Sequence, residues 1–422
     1  MNRKIFTGLA ALAMALCAGS TPVYAANYTP INGNNSSAVI NKYLIVDETA
    51  IVPDVTFNFA IAPGTAITSA SGKMEVMAGN NAGVTGSPTI ASIPFAHTDT
   101  KLTTVAAGDN ITLTAGQNYV KHNTIVDFSG VSFAEPGIYR WVVTETTATY
   151  DIRTTGGDDV TRDLSSLFDW DTQRRDVTGT TEKTRYMDVY VTDDGSGTLE
   201  VSSYVLHDTP ADVTAGDENG SGDVATAGAA VADKSDGFVN EFITDNIEFG
   251  NEVTGNQGSK DKYFDFTFEI TGAQPQTTYS IDISNAEASS GSNPATISAN
   301  TGKANVTSVT TDDSGNVTTH FYLKDGQYVT AKGLPISTNY ALTATPEDYK
   351  QTNGIIASIA KEGVAHSDAQ SGTLARADIL TGYTHTRNGV IPTGIAAGAL
   401  GALGLVAFSV VGLAAKRRKE ED

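Results

Sequence analysis

Cysteine is almost absent from this sequence: among 422 residues there is one, Cys17. It lies in an N-terminal segment that we expect to be removed, so the rest of the chain has no thiol for a disulfide or for nucleophilic catalysis. Basic residues are also scarce, with 27 Lys and Arg against 48 Asp and Glu and a formal net charge of −21. This acidic balance argues against nucleic acid as a partner and favours solubility.

Residue patterns typical of cofactor and metal sites are missing as well. Glycine-rich segments lack the strand, loop and helix order of a phosphate site, and the acidic turns lack the ligand spacing of a calcium loop. Six histidines are scattered without metal-ligand spacing: His97, His122, His207, His320, His366 and His385. We therefore expect no cofactor, no metal and no enzyme that turns over an external substrate.

The N-terminal segment, 1–25, has the layout of a secretory signal peptide. Arg3 and Lys4 precede an apolar stretch over residues 5–18, which is short for a permanent membrane span. Val23-Tyr24-Ala25 supplies the small-residue cleavage site. The mature chain is expected to begin near Ala26.

The C-terminal segment, 390–422, combines a short motif, an apolar run and a basic tail. The run over residues 395–415 is uncharged, and at about 1.5 Å per residue it spans a hydrocarbon core of about 30 Å. Four bases, residues 416–419, then mark the cytoplasmic side. An ordinary membrane anchor has the same apolar run and basic tail. What differs here is the motif in front of them: Val390, Ile391, Pro392, Thr393 and Gly394.

This motif resembles that of the sortase substrates of Gram-positive bacteria, which are cut between Thr and Gly. The resemblance implies cleavage between Thr393 and Gly394, so that the chain would contact the membrane only before cleavage. Thr393 would then be joined to another amine.

Alternating strand patterns dominate the region between the two terminal segments. Residues 55–61 and 264–270 alternate apolar and polar side chains with period two, and no helical stripe of comparable length occurs. Turn residues at 193–197 and 312–316 separate β-rich stretches and predict two hairpin tips. The fold class predicted is all-β.

The mature length exceeds what one hydrophobic core usually holds, which predicts two domains. Residues 215–237 consist mostly of Gly, Ala, Ser and Asp and predict a loop, and the strand pattern starts again at Phe238 and at Phe264. We expect two tandem immunoglobulin-like β-sandwiches, at residues 26–245 and 246–388.

Three polar residues stand where the alternation of their strands requires an apolar one: Lys42, Glu145 and Asn240. Each alone has an ordinary explanation, because a strand-end lysine or glutamate reaches solvent and asparagine is common in turns. Together they form a chemically sensible set. Burial disfavours the charged forms of lysine and glutamate, and a neutral amine is a nucleophile while a protonated carboxyl polarises an amide and moves protons.

In these features the chain resembles the two-domain backbone pilins of Gram-positive sortase-assembled pili, typified by the streptococcal pilin isopeptide-linkage domain. The matching segments follow the family's order over most of the mature chain: the Lys42 strand with residues 55–61, then 136–139, 143–145, 238–242, 253–256, 262–264, 321–326, 333–335 and the terminal signal. The resemblance implies that Lys42 is the nucleophile, Asn240 the acceptor and Glu145 the catalytic acid and base of one isopeptide bond. Ammonia would be expelled.

The second half departs from the family pattern at all three positions. Asn251 stands where the lysine is expected, Ala344 where the acid is expected, and His385 where the acceptor asparagine is expected. Since a buried lysine or glutamate without its partner costs several kcal/mol, loss of one favours replacement of the others. The second domain is predicted to keep the fold without the crosslink.

The resemblance also implies a surface lysine that accepts the Thr393 acyl group of the next subunit, and Lys234 fits by position. The function expected is the major subunit of a covalent, wall-anchored surface pilus; the alternative is a monomeric wall-anchored adhesin or minor pilin. Expected partners are pilus and housekeeping sortases, further copies of the chain, peptidoglycan and a host or cell-surface ligand. The sequence leaves that ligand open, as well as the role of residues 155–185.

Overall fold

The computed structural model describes residues 37–67, 75–170, 172, 183–193, 195–208, 235–285, 305–354, 365–366 and 369–389. The predicted signal peptide, the loop with Lys234, and the sorting motif with its apolar run lie outside the described residues. In the described part of the chain, no helix is long and apolar enough to cross a membrane.

The regular secondary structure of the described residues consists of β-strands and one short 3₁₀ turn at Ser165–Leu167. The strands of the first half are β1 Ser37–Asp47, β2 Val55–Pro63, β3 Val76–Ala78, β4 Thr89–Ile90, β5 Ile93–Phe95, β6 Gln117–Asp127, β7 Gly137–Arg153, β8 Asp159–Asp163, β9 Phe168–Asp169, β10 Thr184–Asp193, β11 Leu199–His207 and β12 Gly237–Phe242. Those of the second half are β13 Thr244–Thr254, β14 Phe264–Thr271, β15 Thr278–Asn285, β16 Ser308–Thr310, β17 Val317–Leu323, β18 Gln327–Pro335, β19 Asn339–Ala344, β20 Lys350–Asn353, β21 Ala365–His366, β22 Ser371–Thr373 and β23 Ile379–Thr386.

Strands β1 to β12 form the two sheets of the first domain. One sheet has the order β4-β6-β1-β12-β9, and the other has the order β11-β10-β7-β2-β5, with β3 and β8 beside β7. Strand β1 therefore lies between β6, which is antiparallel to it, and β12, which is parallel to it. The first and last strands of this sandwich, β1 and β12, are neighbours, although they lie far apart in the sequence.

Strands β13 to β23 repeat this arrangement in the second domain. Its sheets have the orders β16-β15-β18-β13-β23-β20 and β17-β14-β19-β22. Strand β13 lies between antiparallel β18 and parallel β23, so here too the first strand pairs with the last. The prediction of an all-β chain with two tandem immunoglobulin-like sandwiches is confirmed.

Period-two alternation is the local reason for these strands. In β14, Phe264, Phe266, Phe268 and Ile270 are buried, whereas the residues between them are half-buried or exposed. Side chains of a strand point alternately to its two faces, so one such row fills the core between the sheets. Strand β2 follows the same rule from Val55 to Phe57.

One of the two predicted hairpin tips is confirmed and the other is wrong. Strands β10 and β11 pair antiparallel on either side of the turn at 193–197. The turn at 312–316 instead joins β16 to β17; β16 pairs with β15, whereas β17 pairs with β14 in the opposite sheet. Turn residues show that the chain reverses, but they do not decide whether the next strand joins the same sheet.

The chain passes from the first pair of sheets to the second at Ile243, between the end of β12 and the start of β13. Because residues 26–36 are not described, the full domain limits stay a prediction. Within residues 155–185, the tip of the β7–β8 hairpin contacts the second domain: the Thr155 amide and hydroxyl donate to Oδ2 of Asp313 at 2.6 and 2.8 Å. Arg376 also forms an ion pair with Asp169 across the two domains.

Candidate functional site: a buried amine, carboxyl and amide

Lys42 and Asn240 project from neighbouring strands into the core of the first domain. Lys42 lies on the inner face of β1, between Ile40 and Leu44, and all three are fully buried. In the parallel pair of β1 and β12, Lys42 is opposite Phe238, and Leu44 is opposite Asn240. Lys42 and Asn240 therefore both point to the inner face of the sheet, and Asn240 lies two residues further along its strand than the residue opposite Lys42.

Glu145 approaches them from the opposite sheet. It lies on β7, two residues after the buried Val143, and its backbone N–H donates to the carbonyl oxygen of Lys183 at 2.8 Å. On its other side, β7 pairs with β2, with Glu145 opposite Phe59. The backbone of Glu145 therefore has partners on both sides in the middle of its sheet.

The three side chains meet at one carboxyl oxygen. Nζ of Lys42 lies 2.8 Å from Oε1 of Glu145, and Nδ2 of Asn240 donates to the same oxygen at 3.1 Å. All three residues have 0% of their surface exposed. The amine and the amide nitrogen thus both lie within reach of one group that can accept or donate a proton.

The surroundings of the set are apolar. Nζ of Lys42 lies 4.4 Å from the ring centroid of Phe57, and the ring centroids of Phe59 and Phe238 lie 5.5 Å apart. Charges are costly in such a place, and the Lys42–Glu145 pair has no net charge whichever of the two holds the proton. In the neutral form, the amine presents its lone pair beside a carboxamide.

The second domain presents different residues at the corresponding positions. In the parallel pair of β13 and β23, Val253 is opposite His385, just as Leu44 is opposite Asn240 in the first domain. Asn251, two residues before Val253, therefore takes the position of Lys42, and His385 that of Asn240. Ala344, at the end of β19, is opposite Phe266 and packs against the apolar core.

Asn251 and His385 form a buried hydrogen-bonded pair. The amide nitrogen of Asn251 donates to the carbonyl oxygen of Leu323 at 3.1 Å, so its Oδ1 is left to accept from Nδ1 of His385 at 2.7 Å. The imidazole stacks on the Phe264 ring at 3.9 Å. Burial lowers the pKa of His385 from 6.5 to about 4; nearby Lys262 adds to this effect and Glu347 opposes it.

Among the buried charged residues of the first domain that sequence reasoning missed is Arg185. It lies on the inner face of β10 in the row Arg185, Met187, Val189 and Val191, all of them buried. A charged residue at an apolar position of an alternating strand is the same signal that identified Lys42, so the pattern of β10 could have revealed it.

The remaining predicted site residues lie outside the described residues: Lys234, Val390, Ile391, Pro392, Thr393 and Gly394. Within the described ranges, no group of three or more His, Cys, Asp or Glu residues could hold a metal ion.

The fold and site define a class: a two-domain β-sandwich protein in which a lysine, a glutamate and an asparagine lie in contact in the core of the first domain. Among protein families, one described as a domain of unknown function, DUF7601, matches residues 245–379, which lie in the second half of the chain. No curated protein matches the chain.

Solved structures similar to the chain include major pilins of Streptococcus pyogenes. The major pilin itself has 16% identity and a TM-score of 0.47, with 85% of this chain and 100% of that chain covered. The major pilin T3.2 has 20% identity and a TM-score of 0.47, covering 84% and 98%. The T-13 pilin has 19% identity and a TM-score of 0.46, covering 84% and 100%. At this level of identity, the function has to be argued from the residues of the chain itself.

Proposed function

We propose that the chain is a structural protein, the major subunit of a covalently polymerised pilus on the cell wall of a Gram-positive bacterium. We further propose that its first domain forms one isopeptide bond between Lys42 and Asn240. The observation that supports the bond is the convergence of a fully buried amine and carboxamide on Oε1 of Glu145. A core that served stability alone would not place an amine, a carboxyl and an amide together among apolar side chains, because burying each of them costs free energy.

The proposed reaction is an amide exchange within one molecule. The neutral amine of Lys42 attacks Cγ of Asn240, while the protonated Glu145 carboxyl hydrogen-bonds to the amide and stabilises the charge that develops on it. Glu145 then transfers one proton from the attacking nitrogen to the leaving nitrogen. The Cγ–Nδ2 bond breaks, an Nζ–Cγ bond forms and one ammonia leaves, so atoms and charge balance without any cofactor. It happens once per molecule and is not turnover.

The bond would have a mechanical role. It joins β1 to β12, which are neighbours in the sheet, and closes the long loop of chain between Lys42 and Asn240. For a secreted chain without disulfides, an amide gives a crosslink that no reductant opens. In the second domain, Asn251, Ala344 and His385 supply neither the amine nor the carboxyl, so that domain is proposed to fold without a crosslink.

Polymerisation and anchoring would use Lys234 and the sorting motif that contains Thr393. A sortase would cleave after Thr393 and transfer its acyl group to Lys234 of the next copy or, at the base of the pilus, to peptidoglycan. The mature chain would then be located at the cell surface, joined to the wall.

The intact mass of recombinant residues 26–393 tests the bond. We expect a mass lower than the calculated one by one ammonia, and the full calculated mass for Lys42→Ala, Asn240→Ala and Glu145→Ala. A deficit of two ammonia would mean that the second domain also reacts. A measured mass equal to the calculated mass in the natural sequence would rule out the proposed bond.

The pilus role has a separate test in the producing cell. Wall extracts boiled in detergent should show a ladder of high-mass species that Lys234→Arg abolishes, while single wall-linked copies remain. A wall-linked monomer in the unsubstituted strain would instead identify the chain as a lone adhesin or a minor pilin.

A further inference from the structure

We propose that Arg185 is a positioning residue for the bond between Lys42 and Asn240. The inference rests on the proposed function, since it assigns a role within that reaction. Arg185 does not touch the reacting atoms; it holds the start of β12, a few positions before Asn240.

The contacts of Arg185 cross the sandwich from one sheet to the other. Its strand, β10, belongs to the sheet of Glu145, and Arg185 is opposite Val143 on β7. Its single Nε–H is shared between the hydroxyl oxygen of Ser235 at 2.8 Å and the carbonyl oxygen of Gly237 at 2.9 Å, just before and at the start of β12. One buried side chain thus connects the strand beside Glu145 to the strand of Asn240.

Two more contacts fix the guanidinium itself. Asp208 forms an ion pair with the guanidinium, with Oδ1 2.9 Å from Nε, and Nη1 donates to the carbonyl oxygen of Thr184 at 2.9 Å. Only 2% of the Arg185 surface is exposed, and 4% of Asp208. A buried pair of this kind is weak support for stability, because desolvation offsets its attraction. Its role would instead be to fix the orientation of the Arg185 guanidinium beside the start of β12.

The link from Arg185 to the reacting atoms runs through Phe238. The guanidinium carbon lies 4.7 Å from the centre of the Phe238 ring, and Phe238 is opposite Lys42 in the parallel ladder. Phe238 and Asn240 share one face of β12, so fixing the first fixes the direction of the second. Gly237 also approaches β1 so closely that a Cβ there would collide with the carbonyl oxygen of Asn41.

Placement matters because the reaction depends on how close the amine lies to Cγ. A displacement of about 1 Å in a preorganised site costs about a hundredfold in rate. Without Arg185, the start of β12 loses its tie to the opposite sheet, and the carboxamide samples positions away from Lys42. The chemistry at Glu145 is unchanged, so the bond still forms, only more slowly.

The test measures how fast the bond forms. Residues 26–393 are made in a cell-free system, translation is stopped, and the loss of ammonia is followed by intact mass. We expect Arg185→Gln to slow this loss by about tenfold to a hundredfold. Arg185→Lys should be intermediate, because it keeps a cation but not the planar group that faces both Ser235 and Gly237.

Arg140 offers a matched control. It has 2% of its surface exposed and forms a bidentate pair with Asp188 in the same sheet, at 2.7 and 2.6 Å. Arg140→Gln should therefore cost comparable stability and leave the rate of ammonia loss within about threefold of the natural rate. Stability is compared in the Lys42→Ala background, where no bond forms and a purely structural contribution is seen alone.

The outcomes separate the inference from the proposed function. Ammonia loss in the natural sequence that Arg185→Gln slows well beyond Arg140→Gln supports the positioning role. Equal rates in the two variants, or a natural rate in Arg185→Gln, overturn it while leaving the bond intact. If Arg185→Gln does not fold, Ser235→Ala and Arg185→Lys decide in the same way. No ammonia loss in the natural sequence would overturn the proposed function itself.

Discussion

In the second domain, Nδ1 of His385 lies 2.7 Å from Oδ1 of Asn251, at the positions that Asn240 and Lys42 have in the first domain. The two domains thus share the pairing of first and last strand and the register of that pairing. They differ in what connects the two strands at the centre of the core: the contacts of Lys42 and Asn240 with Glu145 in one, and the hydrogen bond between Asn251 and His385 in the other.

The shared register predicts that the proposed reaction can be transferred to the second domain. The triple variant Asn251→Lys, Ala344→Glu and His385→Asn restores the amine, the acid and the amide on the same strand positions. We expect its intact mass to fall by one further ammonia compared with the natural sequence. The double variant without Ala344→Glu is the control, and it should lose no additional ammonia, because no carboxyl would carry the proton. A triple variant with the mass deficit of the natural chain would show that register alone does not set the geometry.

The buried imidazole predicts that acid weakens the second domain. The pKa of His385 is about 4 in the fold and 6.5 in the unfolded chain. Between these values the unfolded chain binds a proton that the folded one does not, so stability decreases as pH falls through this window. Urea unfolding of the second domain should show this loss, which His385→Asn should reduce because an amide does not titrate. Equal pH dependence in both proteins would contradict the assignment to His385.

If the proposed crosslink forms, substitutions at its two ends should lower the stability of the first domain by different amounts. Asn240→Ala prevents the bond but keeps the contact of Lys42 with Glu145, and closing so long a loop is worth roughly 5 kcal/mol in the chain-entropy model. Lys42→Ala also leaves Glu145 in an apolar core without its amine, which adds roughly 3–5 kcal/mol. Denaturant unfolding of the first domain should therefore rank the natural protein first, Asn240→Ala second and Lys42→Ala last. An equal loss for both variants would mean that the Glu145 carboxyl finds another partner.

Pulling on the two ends of the mature chain should extend only the second domain. If the proposed bond forms, force passes through it from β1 to β12 and bypasses the residues between Lys42 and Asn240. The second domain, Thr244 to Thr386, should release roughly 140 residues, or about 500 Å at about 3.5 Å per residue. Single-molecule force spectroscopy should show this one event, and Asn240→Ala should add a second, of about 700 Å. Two unfolding events in the natural protein would indicate that no crosslink protects the first domain.

Much of the fold could be predicted because alternation is a local property. The rows in β2 and β14 identified strands, and the position of Lys42 within such a row identified it as buried. The same rule would have found Arg185 in β10. The prediction of a hairpin at 312–316 was wrong, because β16 pairs with β15 and β17 pairs with β14. Whether a turn forms a hairpin or crosses to the other sheet depends on these pairings with distant strands.

The sequence by itself determined which faces of the strands are apolar and which polar residues interrupt them, because side-chain direction follows from the period of the strand. Only the tertiary structure decided that Glu145, distant in sequence from both partners, lies 2.8 Å from the amine of Lys42 and 3.1 Å from the amide of Asn240. It also decided that β12 runs parallel to β1 and that Arg185 ties the two sheets together. Such contacts depend on long-range pairing and on packing between sheets, and no pattern within a single strand specifies them.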